Sequence, residues 1–166
     1  MEHAQLATRL GQLLLAQGEQ LVCAESCTGG LVAAAVTAVA GSSAWFDRGF
    51  VTYSNAAKRE LLQVKEDTLV AHGAVSEATA REMALGALSA SHGTLSVAVT
   101  GIAGPGGGVP GKPVGTVCFA WARSGESMPR SETRLFEGDR DAVRRAAVLR
   151  ALRGLVELID DGRLPT

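Results

Sequence analysis

Apolar positions along this chain recur at two spacings, and their alternation predicts a protein of interleaved helices and strands. Leu6, Leu10, Leu13 and Leu14 lie at helical spacing between Ala4 and Gln17, and Gly18 closes the stretch, so an amphipathic helix opens the chain. The apolar run Gln20 to Ala24 predicts a first strand, and the alanine-rich stretch from about Gly29 to Ala40 a second helix ending at Gly41. Phe46 to Tyr53 reads as a second strand, after which Ser54 is placed to cap a short helix running through Lys58 to Leu62. Further helices are expected at Glu66 to His72 and Ser76 to Ser91, the latter with Met83, Leu85 and Leu88 among its apolar residues. Three more strands follow at Thr94 to Thr100, Val114 to Arg123 and Arg130 to Glu137, with the Gly- and Pro-rich Gly101 to Pro113 between the first two. A last helix starts near Asp139, a good N-cap, and runs to about Ile159.

The connections imply a topology. Helices join the first three strands, so these should be parallel, whereas loops alone join the last three, which should be antiparallel neighbours. The expected fold is α/β, with a five-stranded mixed sheet of order 2-1-3-4-5, its fourth strand antiparallel, and helices on both faces. Ser26, Lys58, Gly101 and Arg140 would then share the carboxyl edge of the sheet, where open α/β sheets bind ligands. With 166 residues and no repeat or linker, residues 1–166 read as one domain.

Composition narrows the function. Apolar residues make up 46% of the chain and aromatic ones only 4%, so Ala, Val and Leu must fill the core. A net charge of -1 gives no footprint for nucleic acid or an anionic membrane. The longest apolar run, Leu31 to Ala40, is far too short to span a bilayer. Three cysteines, Cys23, Cys27 and Cys118, in apolar or turn contexts argue against a disulfide framework, and the start of the chain is unlike a signal peptide, so a cytoplasmic location is expected.

The most informative segment is Ala24-Glu25-Ser26-Cys27-Thr28-Gly29-Gly30, which places two hydroxyls, a thiol and a glycine pair on a strand-to-helix turn. A hydroxyl there can attack a carbonyl, and neighbouring N–H groups can receive an oxyanion or phosphate. The plain alternative is a helix N-cap. Lys58 is also unusual: with Ser54 as cap it follows the first helical turn, near the positive end of the dipole. To be largely neutral near pH 7.5 it needs a shift of about three units from roughly 10.4, or roughly 4 kcal/mol, most of which burial must supply.

Together with Ala40-Gly41-Ser42-Ser43-Ala44-Trp45-Phe46, Tyr53-Ser54-Asn55-Ala56-Ala57-Lys58, His72-Gly73-Ala74-Val75-Ser76 and Thr100-Gly101-Ile102-Ala103-Gly104-Pro105, that segment resembles the CinA C-terminal domain family, in the family's order and from about Leu10 to Leu158. The resemblance implies a three-layer α/β/α sandwich and a nicotinamide-nucleotide amidohydrolase that uses a serine and lysine pair, without cofactor or metal, in pyridine-nucleotide salvage. The matching residues are Ser26 and Lys58, with Tyr53 relaying a proton or holding the lysine. Family members that lack activity leave a non-catalytic nucleotide-binding or regulatory module as the alternative.

For a nucleotide substrate two donor sets are available, the backbone of Thr28, Gly29 and Gly30 and the loop Thr100, Gly101, Ile102, Ala103 and Gly104. The residues leave open which set serves the carbonyl oxygen and which the phosphate. Arg140 is the candidate charged partner for phosphate, and Glu25 a residue that orients the turn or touches ribose. Cys27 is the rival nucleophile, since a helix N-terminus lowers a thiol pKa. His3, His72 and His92 lack metal-ligand spacing, and no Gly-Lys-Ser/Thr sequence makes a P-loop. The expected partner is thus a small-molecule nucleotide, with a homo-oligomer left open.

Overall fold

A computed structural model describes residues 2–126 and 128–162. The chain runs α1 (Glu2–Gln17), β1 (Leu21–Glu25), α2 (Leu31–Thr37), a 3-10 turn (Ser42–Ala44), β2 (Phe46–Val51), α3 (Asn55–Leu62), α4 (Glu66–His72), α5 (Glu77–Ser89), β3 (Leu95–Gly101), β4 (Thr116–Arg123), β5 (Arg130–Leu135) and α6 (Arg140–Asp161). The five strands form one sheet in the order β2-β1-β3-β4-β5. β1 pairs in parallel with β2 and β3, while β4 runs antiparallel to both β3 and β5. This is the three-layer mixed architecture expected from the connections.

Alternation along the buried strands divides the large from the small side chains. Leu21 and Cys23 of β1, Leu95, Val97 and Val99 of β3, and Val117, Phe119 and Trp121 of β4 face the layer of α1, α2 and α6. The opposite face offers Val22, Ala24, Ala98, Cys118, Ala120 and Ala122 to Ala80, Met83, Ala84 and Ala87 of α5 and to Leu62 of α3. Small residues on both sides let α5 sit close to the sheet. That seat fixes α3, which leans on α5 and carries Lys58.

Several predicted boundaries move for identifiable reasons. α2 begins at Leu31 rather than Gly29, because Gly29 and Gly30 take the left-handed φ values of 56° and 107° and belong to the turn. It stops at Thr37, before a turn that replaces the expected last helical turn. β2 ends at Val51, so Tyr53 lies beyond the strand expected to include it and is exposed. β5 ends at Leu135, two residues early. The two predicted caps are in place, Ser54 and Asp139 accepting the N–H of Ala57 and Ala142 at 3.0 and 2.9 Å, and Ser76, expected as the first helical residue, instead caps α5 by accepting the N–H of Thr79 at 3.1 Å.

Gly86 lies where α5 touches the end of α3, and a methyl group built there would overlap the Leu62 carbonyl. Gly86→Ala should therefore push α3 outward and destabilise the protein by about 1–3 kcal/mol. Thermal unfolding measures the effect; an unchanged midpoint would show that α3 has slack at this contact.

Candidate active site

Ser26 follows β1, Lys58 lies on the α3 that follows β2, and Gly101 ends β3, so the parallel part of the sheet delivers all three to one edge. Arg140 opens α6 after β5 and reaches the same rim. Between them lies a cavity of about 220 Å³, whose walls include Ser26, Cys27, Lys58, Thr100, Ala103 and Arg140. Tyr53 and Gly101 also line it. Thr28, Gly29, Gly30 and Gly104 are not among the residues that line it.

Lys58 dominates the chemistry of the cavity. Only 1% of its surface is exposed, and Nζ lies 3.1 Å from Ser26 Oγ. The amine donates to the carbonyls of Thr52 at 2.8 Å and Tyr53 at 3.5 Å. Among the described residues no carboxylate offsets its charge, and burial pushes its pKa below the ordinary lysine value. A neutral amine fits this setting: two N–H groups suit two carbonyls, and the lone pair suits the Ser26 hydroxyl.

Cys27 behaves differently from the expectation of an activated thiol. It is 5% exposed, and burial, outweighing its own backbone N–H and the nearby arginines, pushes it up to about 12. The helix terminus that should have lowered it is already occupied. The Leu31 N–H donates to Thr28 O, those of Val32 and Ala33 to the Glu25 carboxylate, and that of Ala34 to Gly30 O. The three N–H groups of the first turn, those of Leu31, Val32 and Ala33, therefore have acceptors outside the helix, and that of Ala34 makes the first intrahelical bond, so the first turn of α2 is not an open anion site. Glu25 itself is 1% exposed and accepts the Val32 and Ala33 N–H groups; it does not line the cavity.

The remaining expected residues sort by the atoms they offer. The Tyr53 phenol accepts a hydrogen bond from Arg140 Nη2 at 3.1 Å, and its carbonyl, not its hydroxyl, meets Lys58. Arg140 Nη1 donates to Gly104 O at 2.8 Å, so the guanidinium bridges two walls of the cavity. Thr100 is buried, and its hydroxyl donates to Ala74 O at 2.9 Å. Among the described residues no group of three or more His, Cys, Asp or Glu is placed to hold a metal ion, and no helix is long and apolar enough to cross a membrane.

The sequence matches the CinA C-terminal domain over residues 3–159. The chain belongs to that family. A relative in Escherichia coli K12, the nicotinamide-nucleotide amidohydrolase PncC, is 56% identical over 155 residues, which span 93% of each chain. The crystal structure of the competence/damage inducible protein CihA from Agrobacterium tumefaciens aligns with a TM-score of 0.92 at 46% identity, covering 95% of this chain and 96% of that one. A CinA superfamily protein from Klebsiella pneumoniae 700603 aligns at 0.91 and 43% identity over 96% and 98% of the two chains.

Within the CinA C-terminal domain, three further residues line the cavity that sequence reasoning had not assigned to it: Asn55, Ala74 and Val75. All fall inside the blocks that carry the family resemblance. Asn55 was legible in principle, because the first residue after a Ser54 cap turns toward the same edge as the strand end before it. Ala74 and Val75 belong to a loop whose Ala74 carbonyl accepts from the Thr100 hydroxyl, a tertiary contact without local signature.

Burial of Lys58 makes stability depend on pH in a stated direction. Its folded pKa is lowered, so between that value and about 10.5 the unfolded chain holds the extra proton and stability rises with pH. Relative to Lys58→Met, the parent should gain stability as pH climbs from 7 toward about 10.5. Paired unfolding midpoints across that range test this, and a gap that stays constant or moves oppositely would mean that Lys58 is charged in the fold.

Proposed function

We propose that this chain is a nicotinamide-nucleotide amidohydrolase that converts nicotinamide mononucleotide to nicotinate mononucleotide and ammonia in pyridine-nucleotide salvage. The observation that carries the reading is the buried, unpaired Lys58 amine 3.1 Å from Ser26 Oγ. The relative named as an amidohydrolase of nicotinamide nucleotides, matched over nearly its whole length, supports the substrate class. A module that only binds nucleotide gains nothing from a desolvated amine beside a hydroxyl.

In this reading neutral Lys58 takes the Ser26 proton as Oγ bonds to the carboxamide carbon. The C–O π electrons move onto oxygen. The ammonium of Lys58 then protonates the departing nitrogen, the C–N bond breaks, and ammonia leaves an ester on Ser26. Water gives a proton to Lys58 and attacks that ester, collapse returns the proton to Ser26 Oγ, and the freed carboxylic acid gives its own proton to solvent or to Lys58 to become the carboxylate product.

Backbone bookkeeping narrows the oxyanion donors. The Ser26 N–H is held by Val99 O and that of Gly29 by Ser26 O, and the Ile102 N–H goes to Thr116 O. Among the described residues the N–H groups of Cys27 and Ala103, both on the cavity wall, donate to no backbone carbonyl. Cys27 follows the nucleophile directly, which suits its N–H to the developing oxyanion. Arg140 stands at the rim for the phosphate, with Tyr53 aligning it. Thr100 and Gly101 shape the wall beside Ala103. Thr28, Gly29, Gly30 and Gly104 act one step back, building the turn and seating Arg140.

Ser26→Ala should lower turnover by about a thousandfold or more while the fold survives. Lys58→Arg should be nearly as damaging as Lys58→Met, since a guanidinium keeps its proton. Parent activity should rise with pH along a limb below the ordinary lysine range. Added hydroxylamine should divert the ester to a hydroxamate without slowing ammonia release. Near-normal turnover by Lys58→Arg would remove the general base, and ammonia release with no hydroxamate would remove the ester on Ser26.

A further inference from the structure

We propose that Glu25 is the positioning residue that sets Ser26 against Lys58, gripping the nucleophile's turn from one side while Arg144 of α6 grips it from the other. The proposal rests on the amide-hydrolysis reading above. Glu25 ends β1 on the same face as Cys23, so its side chain enters the layer where α2 packs. Its carboxylate is 1% exposed, with Oε1 accepting the Val32 N–H at 2.8 Å and Oε2 the Ala33 N–H at 3.1 Å. The residue at the cap position of α2 is Gly30, which has no side chain to offer.

A cap on a seven-residue helix needs only a Ser or Asp at that position, at the surface. Here a carboxylate is instead carried into the interior from a neighbouring strand, against the cost of desolvating it. What the longer route adds is closure. It ties the end of β1 to the start of α2 and leaves residues 26–30 as a short bridge between two fixed points.

The bridge is held again from α6. Arg144 Nε donates to Cys27 O at 3.1 Å and Nη2 to Thr28 O at 3.3 Å, the carbonyls of the two residues after the nucleophile. The Ser26 N–H donates to Val99 O at 2.9 Å. Neither Glu25 nor Arg144 lines the cavity. Their effect passes through the position of Ser26 Oγ and of the Cys27 N–H. A misplacement of about 1 Å at such a centre costs about 100-fold in rate.

The test compares the full chain with Glu25→Gln and Arg144→Met in three measurements on nicotinamide mononucleotide and one on Ser26. These are kcat, KM, the midpoint of the pH limb, and the rate at which an alkyl fluorophosphonate labels Ser26, each expressed per folded molecule. Glu25→Gln keeps one acceptor and the same shape, so kcat and the labelling rate should fall together, by about tenfold to 100-fold. KM should stay within about threefold, and the midpoint should not move, because the surroundings of Lys58 are untouched. Arg144→Met should show the same split.

Turnover and labelling within about twofold of the parent would overturn the proposal, as would a loss confined to KM. Should Glu25→Gln fail to fold, Glu25→Asp and Arg144→Met decide by the same criteria. If the parent itself releases no ammonia, the amide-hydrolysis reading fails, yet the Ser26 labelling rates still decide the role of Glu25.

Discussion

A lysine amine held out of water, with two carbonyls and a hydroxyl for company and no counter-charge among the described residues, is the constraint around which this fold is arranged. Holding it there needs a rigid platform, since a lysine side chain escapes to solvent whenever its helix shifts. α3 supplies the platform, capped by Ser54 and wedged against α5 at Gly86. α5 in turn lies close to the sheet because both surfaces are lined with alanine. The arrangement of small residues far from the cavity and the charge state of one amine inside it are thus two ends of a single chain of contacts.

The nucleophile side is built on the opposite layer. Ser26 leaves β1 where that strand is buried on both faces, and the turn after it is tied to α2 by Glu25 and to α6 by Arg144. Lys58, on α3, and Ser26, on the turn that leads into α2, therefore approach each other from elements on different faces of the sheet, and the carboxyl edge is where the two layers meet. Relative motion of the layers would act directly on the 3.1 Å contact.

Much of this was legible in the chain. The switch between helical and strand spacing, with loops after β3 and β4, determined the sheet order, and Ser54 and Asp139 announced helix starts through local chemistry that needs no tertiary partner. What escaped depended on distant contacts. Nothing near Val32 and Ala33 indicates that a strand carboxylate takes their N–H groups, so the start of α2 read as an open anion site and Cys27 as an activated thiol. Tyr53 followed apolar strand residues, yet the chain turns at Thr52, whose N–H donates to Glu25 O and whose carbonyl receives Lys58. The serine and lysine were recognisable as a pair through family blocks, whereas their 3.1 Å separation follows from packing alone.

The missing counter-charge around Lys58 has a bearing on how a catalytic cycle ends. Under the proposed reaction a neutral carboxamide enters and a carboxylate is left in its place, a few ångströms from the amine. The product then supplies the very ion-pair partner that the protein withholds, and Lys58 acquires a reason to keep a proton. Product would be held most firmly in acid and let go as the medium turns alkaline, so departure of the product and readiness of the base for the next substrate become one and the same deprotonation.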